Sequence, residues 1–341
     1  RFCQAFQKQV KFSKKHFTGK TSGSTAEPLE FFQDHYYELR SLAICRRMFL
    51  TVSRGKSKTV LFIRSIYRHG FTLEKDSFLL VSNHNQLKYY IENIYKSSKK
   101  IKNLFIIHGL SSYLMEVARL CKERKIKIAP IAIIYSGEGL EQDQKKYIES
   151  NLDSELFSSY STNELGWLAQ ECEKHQLHVN SEFVYIEIVD KNGNPTKDGE
   201  EGKIVVTTFD NKIMPFIRYE NGDLGTIYRN PCPCGRTSPY LKIVGRETDK
   251  IKLTNKEVPL IDILYIFREN YIRQYQLIQK SLSEFIIKII PETIITLDNF
   301  SEIKNRLHRN FNQEVKISFE IVKEIQPTST GKKINFISLI K

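Results

Sequence analysis

The sequence predicts an α/β fold in two unequal domains: a large N-terminal one that joins a parallel α/β layer to a β subdomain, and a small α+β one at the C-terminus. Three observations carry this. Apolar runs at 104–107 and 128–134 bracket a helical pattern at 113–124, and strand, helix, strand in that order implies parallel pairing. From Phe183 to Thr208 the pattern changes to near-alternation around the turn Lys191-Asn192-Gly193-Asn194, which predicts an antiparallel hairpin. Past Asp249 short elements alternate, and 341 residues exceed what one compact core usually holds.

Taken in order, the spacing of Tyr36, Leu39, Ala43 and Met48 predicts an amphipathic helix over 32–49. Short strands follow at 60–66 and 77–82, and a helical pattern returns at 86–97. After the strand–helix–strand unit, a helix over 142–152 leads to a strand at 156–159. Residues 204–208 complete the hairpin, and 225–228 add a strand. The smaller domain reads as a helix over 260–269, strands at 274–278 and 285–290, a helix over 300–310 and a strand at 315–322. There is no internal repeat.

Lys and Arg number 52 against 39 Asp and Glu, a formal net charge of +13. The basic residues are spread along the chain and partly interleaved with acids, whereas a nucleic-acid reader concentrates them on one element among stacking aromatics. Small polyanionic substrates are therefore expected rather than nucleic acid. The longest apolar run, 126–135, contains Lys127 and Pro130 and is far shorter than the roughly 20 residues of a membrane span. No apolar signal core follows Arg1, so a cytoplasmic location is expected. A homodimer is left open. Cys3, Cys45 and Cys121 stand alone and read as simple thiols.

Five stretches carry chemistry. KKHFTGKTSGSTAEPL, residues 14–29, is rich in glycine and hydroxyls; freed N–H groups and Thr21, Ser22, Gly23, Ser24 and Thr25 suit phosphate oxygens. It is not a Walker loop, because Lys14 stands where that motif needs glycine. Ser136-Gly137-Glu138 follows the second strand of the parallel unit, where open sheets bind ligands. Arg218-Tyr219-Glu220-Asn221-Gly222-Asp223 places a carboxylate after a glycine turn at the end of a strand, an acceptor suited to a vicinal diol. Cys232-Pro233-Cys234-Gly235 offers two soft ligands on a tight turn, half of a tetrahedral metal site. Gly245-Arg246-Glu247-Thr248-Asp249-Lys250-Ile251-Lys252, a charged, glycine-headed break between two apolar runs, reads as a joint between two bodies.

The collinear run from His178 to Lys252, through LHV, DGEEGKIVVTT, MPFIRY, CPCGR and VGRETDKIK, resembles the adenylate-forming superfamily of acyl-CoA synthetases, peptide-synthetase adenylation domains and luciferases. It is most similar to the phenylacetate:CoA ligase and CapK-like capsule-biosynthesis branch. The resemblance implies a large AMP-binding domain over 1–246, with the part that relatives carry before the phosphate loop missing, and a mobile lid domain over 247–341. TSGSTAEP matches the family's TSGSTGKP loop, with Ala26 and Glu27 replacing its Gly and Lys. Tyr160-Ser161-Thr162-Asn163-Glu164 resembles the YGxTE pattern, departing at Ser161 and Asn163.

By the same resemblance Tyr113 is an acyl-pocket aromatic, Ser136, Gly137 and Glu138 lie against adenine, and Tyr160 stacks on it. Glu164 holds Mg²⁺, an oxygen ligand for a hard cation. Asp223 accepts both ribose hydroxyls, with Arg246 near the same ribose. Gly331-Lys332 matches the terminal loop that carries the catalytic lysine, which makes Lys332 the candidate, although Asn335 stands where a basic residue is usual. Cys172, His178, Cys232 and Cys234 form a structural Zn²⁺ set; His175 competes, but zinc-bearing relatives align His178. The implied activity is adenylation of a small-molecule carboxylate by ATP, then transfer to a thiol, with coenzyme A the acceptor. An amine acceptor, or an inactive zinc-bearing scaffold or nucleic-acid binder, is the alternative.

Overall fold

The computed structural model describes residues 16–21, 29–56, 60–64, 77–81, 105–140, 142–246, 250–260, 271–311, 314–326 and 335–340, with isolated positions between them. They form two compact units; Gly245 closes the first and Arg246 opens the second.

The larger unit opens with a hairpin, β1 (His16–Lys20) and β2 (Glu30–Asp34), followed by α1 (His35–Val52). Residues 32–34, expected to be helical, are the end of β2. The reason is Asp34, whose carboxylate accepts from the Tyr37 N–H at 2.7 Å and so caps α1 three residues later than its apolar spacing suggests. Next come β3 (Val60–Arg64), β4 (Ser77–Val81), β5 (Ile106–Leu110), α2 (Ser111–Glu123), β6 (Ala132–Ser136), α3 (Gln142–Leu152) and β7 (Leu156–Thr162). Most of the helix expected at 86–97 lies outside the described residues. The pairs β3–β4, β3–β5, β5–β6 and β6–β7 are all parallel.

Antiparallel pairing begins where β7 meets β8 (Gly166–Glu171), and continues through β9 (Leu177–Val179). It then runs through β10 (Val184–Val189), β11 (Gly202–Thr208), β12 (Tyr219–Tyr228) and β13 (Tyr240–Arg246). All belong to one eleven-stranded sheet in the order β10, β11, β12, β13, β9, β8, β7, β6, β5, β3, β4. The parallel layer and the β subdomain are thus continuous. β12 corrects one expectation: Gly222, at φ +82°, and a register shift between Lys203 and Val205 let the strand run on past Asp223 rather than end there.

Successive strand residues face opposite ways, and the core follows. Val60, Phe62, Ile106, Ala132, Ile134 and Phe157 pack with Cys45, Met48 and Phe49 of α1. Ile63, Ile107, Ile133 and Leu156 pack with Leu114, Val117 and Leu120 of α2 and Ile148 and Leu152 of α3. Each helix covers one face of the parallel strands because the period-two alternation of strands sends neighbours to opposite faces.

In the smaller unit β14 (Lys250–Lys252) and β15 (Glu257–Pro259) pair as a ribbon. A four-stranded sheet is built on the hairpin β16 (Ile272–Ser281) and β17 (Glu284–Pro291), flanked in parallel by β18 (Lys316–Ile321) and β19 (Phe336–Ser338). Helix α4 (Leu297–Phe311) lays Ile303, Leu307 and Phe311 on Leu277, Phe285, Ile287 and Ile289. Of the helix expected at 260–269, a single 3₁₀ turn at 265–267 stands out among the described residues.

Candidate functional site

The C-terminal ends of β6 and β7 and the middle of β12 bring three of the singled-out stretches together. Tyr160, in β7, donates its phenolic O–H to Oδ2 of Asp223 at 2.5 Å, although 63 positions separate them. Asn221 donates to the Tyr160 oxygen at 2.6 Å and to Oδ2 of Asp223 at 3.1 Å, and its own side-chain oxygen accepts from the Asp223 N–H. Asp223 is 7% exposed, so these bonds hold a carboxylate in a fixed direction. Asn221 belongs to the motif that ends in Asp223, but nothing in the sequence assigns it this bridging role.

Ser136 ends β6 and is buried, its hydroxyl 3.2 Å from Nε2 of His108 on β5. Gly137 turns the chain at φ +77°. Glu138 then reaches back to α2: the Ser112 N–H donates to its Oε2 at 2.8 Å and the Ser112 hydroxyl to its Oε1 at 3.2 Å. The Ser111 hydroxyl donates to its carbonyl at 3.0 Å. Leu110, the N-cap residue, makes no side-chain bond, so Glu138 supplies the missing acceptor and a charge that complements the helix dipole.

Glu164 lies in the turn between β7 and β8 and is 6% exposed. A carboxylate is the kind of oxygen ligand that a hard cation such as Mg²⁺ takes. Thr21 ends the β1 side of the phosphate-loop stretch; its N–H donates to the Leu29 carbonyl and its hydroxyl accepts from the Leu29 N–H, both at 2.9 Å, which closes the neck of that loop. Ser22, Gly23, Ser24 and Thr25 lie outside the described residues, as does Lys332. Arg246 is exposed at the end of β13. Tyr113 is fully buried on α2, in the core with Leu114 and Val117.

The second centre is a cluster of four soft ligands. Side-chain donors of Cys172, His178, Cys232 and Cys234 all lie within 4.8 Å of one another. They meet because β9, which carries His178, pairs with β13 at Tyr240, directly after the turn that holds the two other cysteines. Sγ of Cys172 and Cys232 are 3.9 Å apart, and Sγ of Cys234 is 3.3 Å from Nε2 of His178. Zn–S bonds of about 2.3 Å and Zn–N of about 2.0 Å give tetrahedral edges of roughly 3.5–3.8 Å, close to these two distances, so the four residues could hold a tetrahedral ion such as Zn²⁺.

The orientation of each donor also fits. Nδ1 of His178 faces the Ser238 carbonyl at 2.8 Å, the partner that leaves Nε2 as the lone-pair nitrogen toward the sulfurs. Backbone N–H groups of Lys174 and Arg236 donate to the sulfurs of Cys172 and Cys234 at 3.3 and 3.4 Å. Gly235, at φ +83°, donates its N–H to the Cys232 carbonyl and folds the turn. Burial pushes the Cys172 thiol up to about 11 and holds His178 below its ordinary value. His175, the competing imidazole, is engaged elsewhere, between Glu171 and Glu155 at 2.9 Å each and stacked on Phe157.

Comparison with known structures places this architecture. A 2-hydroxyisobutyryl-CoA ligase in complex with its acyl-AMP superposes with a TM-score of 0.73, covering 96% of this chain and 74% of its own, at 16% identity. The fold is that of the adenylate-forming enzymes. The amide bond synthetase McbA of Marinactinospora thermotolerans shares it, with a TM-score of 0.62 and 15% identity over 92% of this chain and 66% of its own. Residues 247–338 match the family described as the CapK C-terminal domain. In sequence the chain is similar to a phenylacetate-coenzyme A ligase of Thermus thermophilus, 24% identical over 231 residues, which are 64% of this chain. The match spans 49% of that ligase, about half its length.

Proposed function

We propose that the chain catalyses ATP-dependent adenylation of a small-molecule carboxylate, with release of pyrophosphate, followed by transfer of the acyl group to the thiol of coenzyme A. The observation that carries this reading is the Tyr160–Asn221–Asp223 cluster, which sets a buried, oriented carboxylate of β12 beside an aromatic ring near the C-terminal end of β7. In this reading Asp223 receives the ribose hydroxyls, Tyr160 lies under adenine, and Ser136, Gly137, Glu138 and Arg246 border the nucleoside. Thr21 to Thr25 take the phosphates. Glu164 would hold Mg²⁺, which supplies positive charge to the phosphates during attack by the carboxylate. Lys332 adds a cation there, and Cys172, His178, Cys232 and Cys234 would hold a structural Zn²⁺. Residues 1–246 act as the nucleotide-binding body and 247–341 as a lid. The similarity to a phenylacetate-coenzyme A ligase, and the acyl-AMP bound by the structurally similar hydroxyisobutyryl-CoA ligase, support the two-step scheme.

Pyrophosphate release against a panel of carboxylates, at fixed ATP and Mg²⁺, tests the activity; no release with any acid defeats it. For the lysine, Lys332→Ala is expected to slow adenylation by roughly 10² to 10⁴ while sparing transfer from a supplied acyl-adenylate, since a lid cation acts on the phosphates alone. Equal loss in both steps would remove Lys332 from the assignment.

A further inference from the structure

The turn that carries Glu164 is held from outside by a residue no motif contains. Gln33, in β2, directs its amide nitrogen at two successive carbonyls, those of Asn163 at 3.3 Å and Glu164 at 3.1 Å. Those carbonyls belong to the two peptide planes on either side of the Glu164 Cα. Because each plane is rigid, φ and ψ of Glu164 are the only soft angles between them, and one carboxamide bridging both carbonyls fixes both angles. The direction of the Glu164 Cα–Cβ bond, from which its side chain starts, is set with them.

Tyr37 backs the same turn. It lies in the first turn of α1, 2% exposed, with its ring 5.2 Å from that of Phe183. A Cβ on Gly166 would come within 2.8 Å of the Tyr37 oxygen, so the phenol fills the space behind the turn. Burial first, and the charge of Glu164 second, raise the Tyr37 phenol well above its usual range, which places the carboxylate within electrostatic reach. We propose that Gln33 is a positioning residue for Glu164, acting through the two carbonyls it binds, with Tyr37 as the stop behind the turn. This rests on the reading of Glu164 as the Mg²⁺ ligand, but its structural half is testable without nucleotide.

The chain has a single tryptophan, Trp167, at the start of β8 directly after the turn, so its emission reports on this region. Gln33→Met keeps the volume and removes the donors. Asn211→Ala is the control: Asn211 donates to the Phe32 carbonyl at 2.8 Å and so ties down the same strand without touching the turn. In nucleotide-free protein, Gln33→Met is expected to speed amide exchange at 163–166 about tenfold, the loss of two neutral hydrogen bonds, with no such change in Asn211→Ala. With ATP present, the half-saturating Mg²⁺ read from Trp167 emission should rise about tenfold in Gln33→Met, from the same loss. Unchanged exchange in Gln33→Met, or an equal change in Asn211→Ala, overturns the proposal. So does faster exchange with unaltered Mg²⁺ dependence, which would make Gln33 a strand tie only. If the wild-type protein shows no Mg²⁺-dependent response to ATP, the ligase reading fails, and the exchange data alone decide whether Gln33 sets the turn. Should Gln33→Met not fold, Gln33→Leu, which also lacks the donors and adds no charge, takes its place.

Discussion

At the scale of single residues, Gly166 is under two independent constraints. Its φ of +72° lies in the left-handed region, and a Cβ there would press on a buried phenol that packs against Phe183. Gly166→Ala is therefore expected to cost about 2–3 kcal/mol, the left-handed penalty plus an overpacked contact, measured by urea unfolding. A loss below about 0.5 kcal/mol would mean that the turn relaxes freely. Residues of this kind separate what can be read in the sequence from what cannot. Asp223, Cys232 and Cys234 sit in short motifs whose residue types alone single them out, whereas Tyr160 and Glu164 stand out only through the resemblance of Tyr160-Ser161-Thr162-Asn163-Glu164 to a family pattern. Gln33, Asn221 and His108 act across 61 to 131 positions or from the next strand. A lone amide or imidazole gives no periodic signal, and its partner is set by the fold.

At the scale of elements, α2 shows the same divide. Its existence follows from its apolar spacing, but its start depends on a carboxylate 26 positions away. Glu138→Ala leaves the first turn of α2 without an acceptor and is expected to destabilise the protein by about 1–2 kcal/mol, seen as a lower unfolding midpoint. Glu138→Gln, which keeps an acceptor but not the charge, should recover part of that loss. Among the strands missed by sequence reading, β8, β9 and β13 are short or bear polar residues on their half-buried faces. β9 has three residues, too few for alternation to register, yet it carries His178 and sits between β8 and β13. Its pairing comes from the sheet around it, as the helix over 142–152 comes from its own pattern.

At the scale of the whole molecule, the cysteine–histidine cluster and the two cores predict uneven unfolding. Cys172 follows β8, His178 lies in β9, and Cys232 and Cys234 precede β13, so a bound ion would clamp neighbouring hairpins in the middle of the large sheet. The smaller unit has its own core, centred on Leu277, Phe285 and Leu307, and none of these ligands. Protein purified without added metal is expected to contain about one zinc per chain. Stripping it with a chelator, or making the Cys232→Ser, Cys234→Ser double variant, should lower the midpoint of the larger unit by about 10 °C or more while leaving the smaller unit's transition in place. A metal-free preparation with unchanged unfolding would show that the cluster is four unligated side chains.

The change from parallel to antiparallel pairing within one sheet has a kinetic consequence. Strands β10, β11 and β12 follow one another along the chain and pair as neighbours, so each contact closes a short loop. Strand β3 must instead be inserted between β4 and β5, and each of these parallel pairings waits on a crossover. Because short closures are made faster than long ones, the hairpin half is expected to acquire amide protection first during refolding. Tyr160 lies near the end of β7 and Glu164 in the turn to β8, where the two halves join, so the contact of Tyr160 with Asp223 is complete only when the slower half arrives.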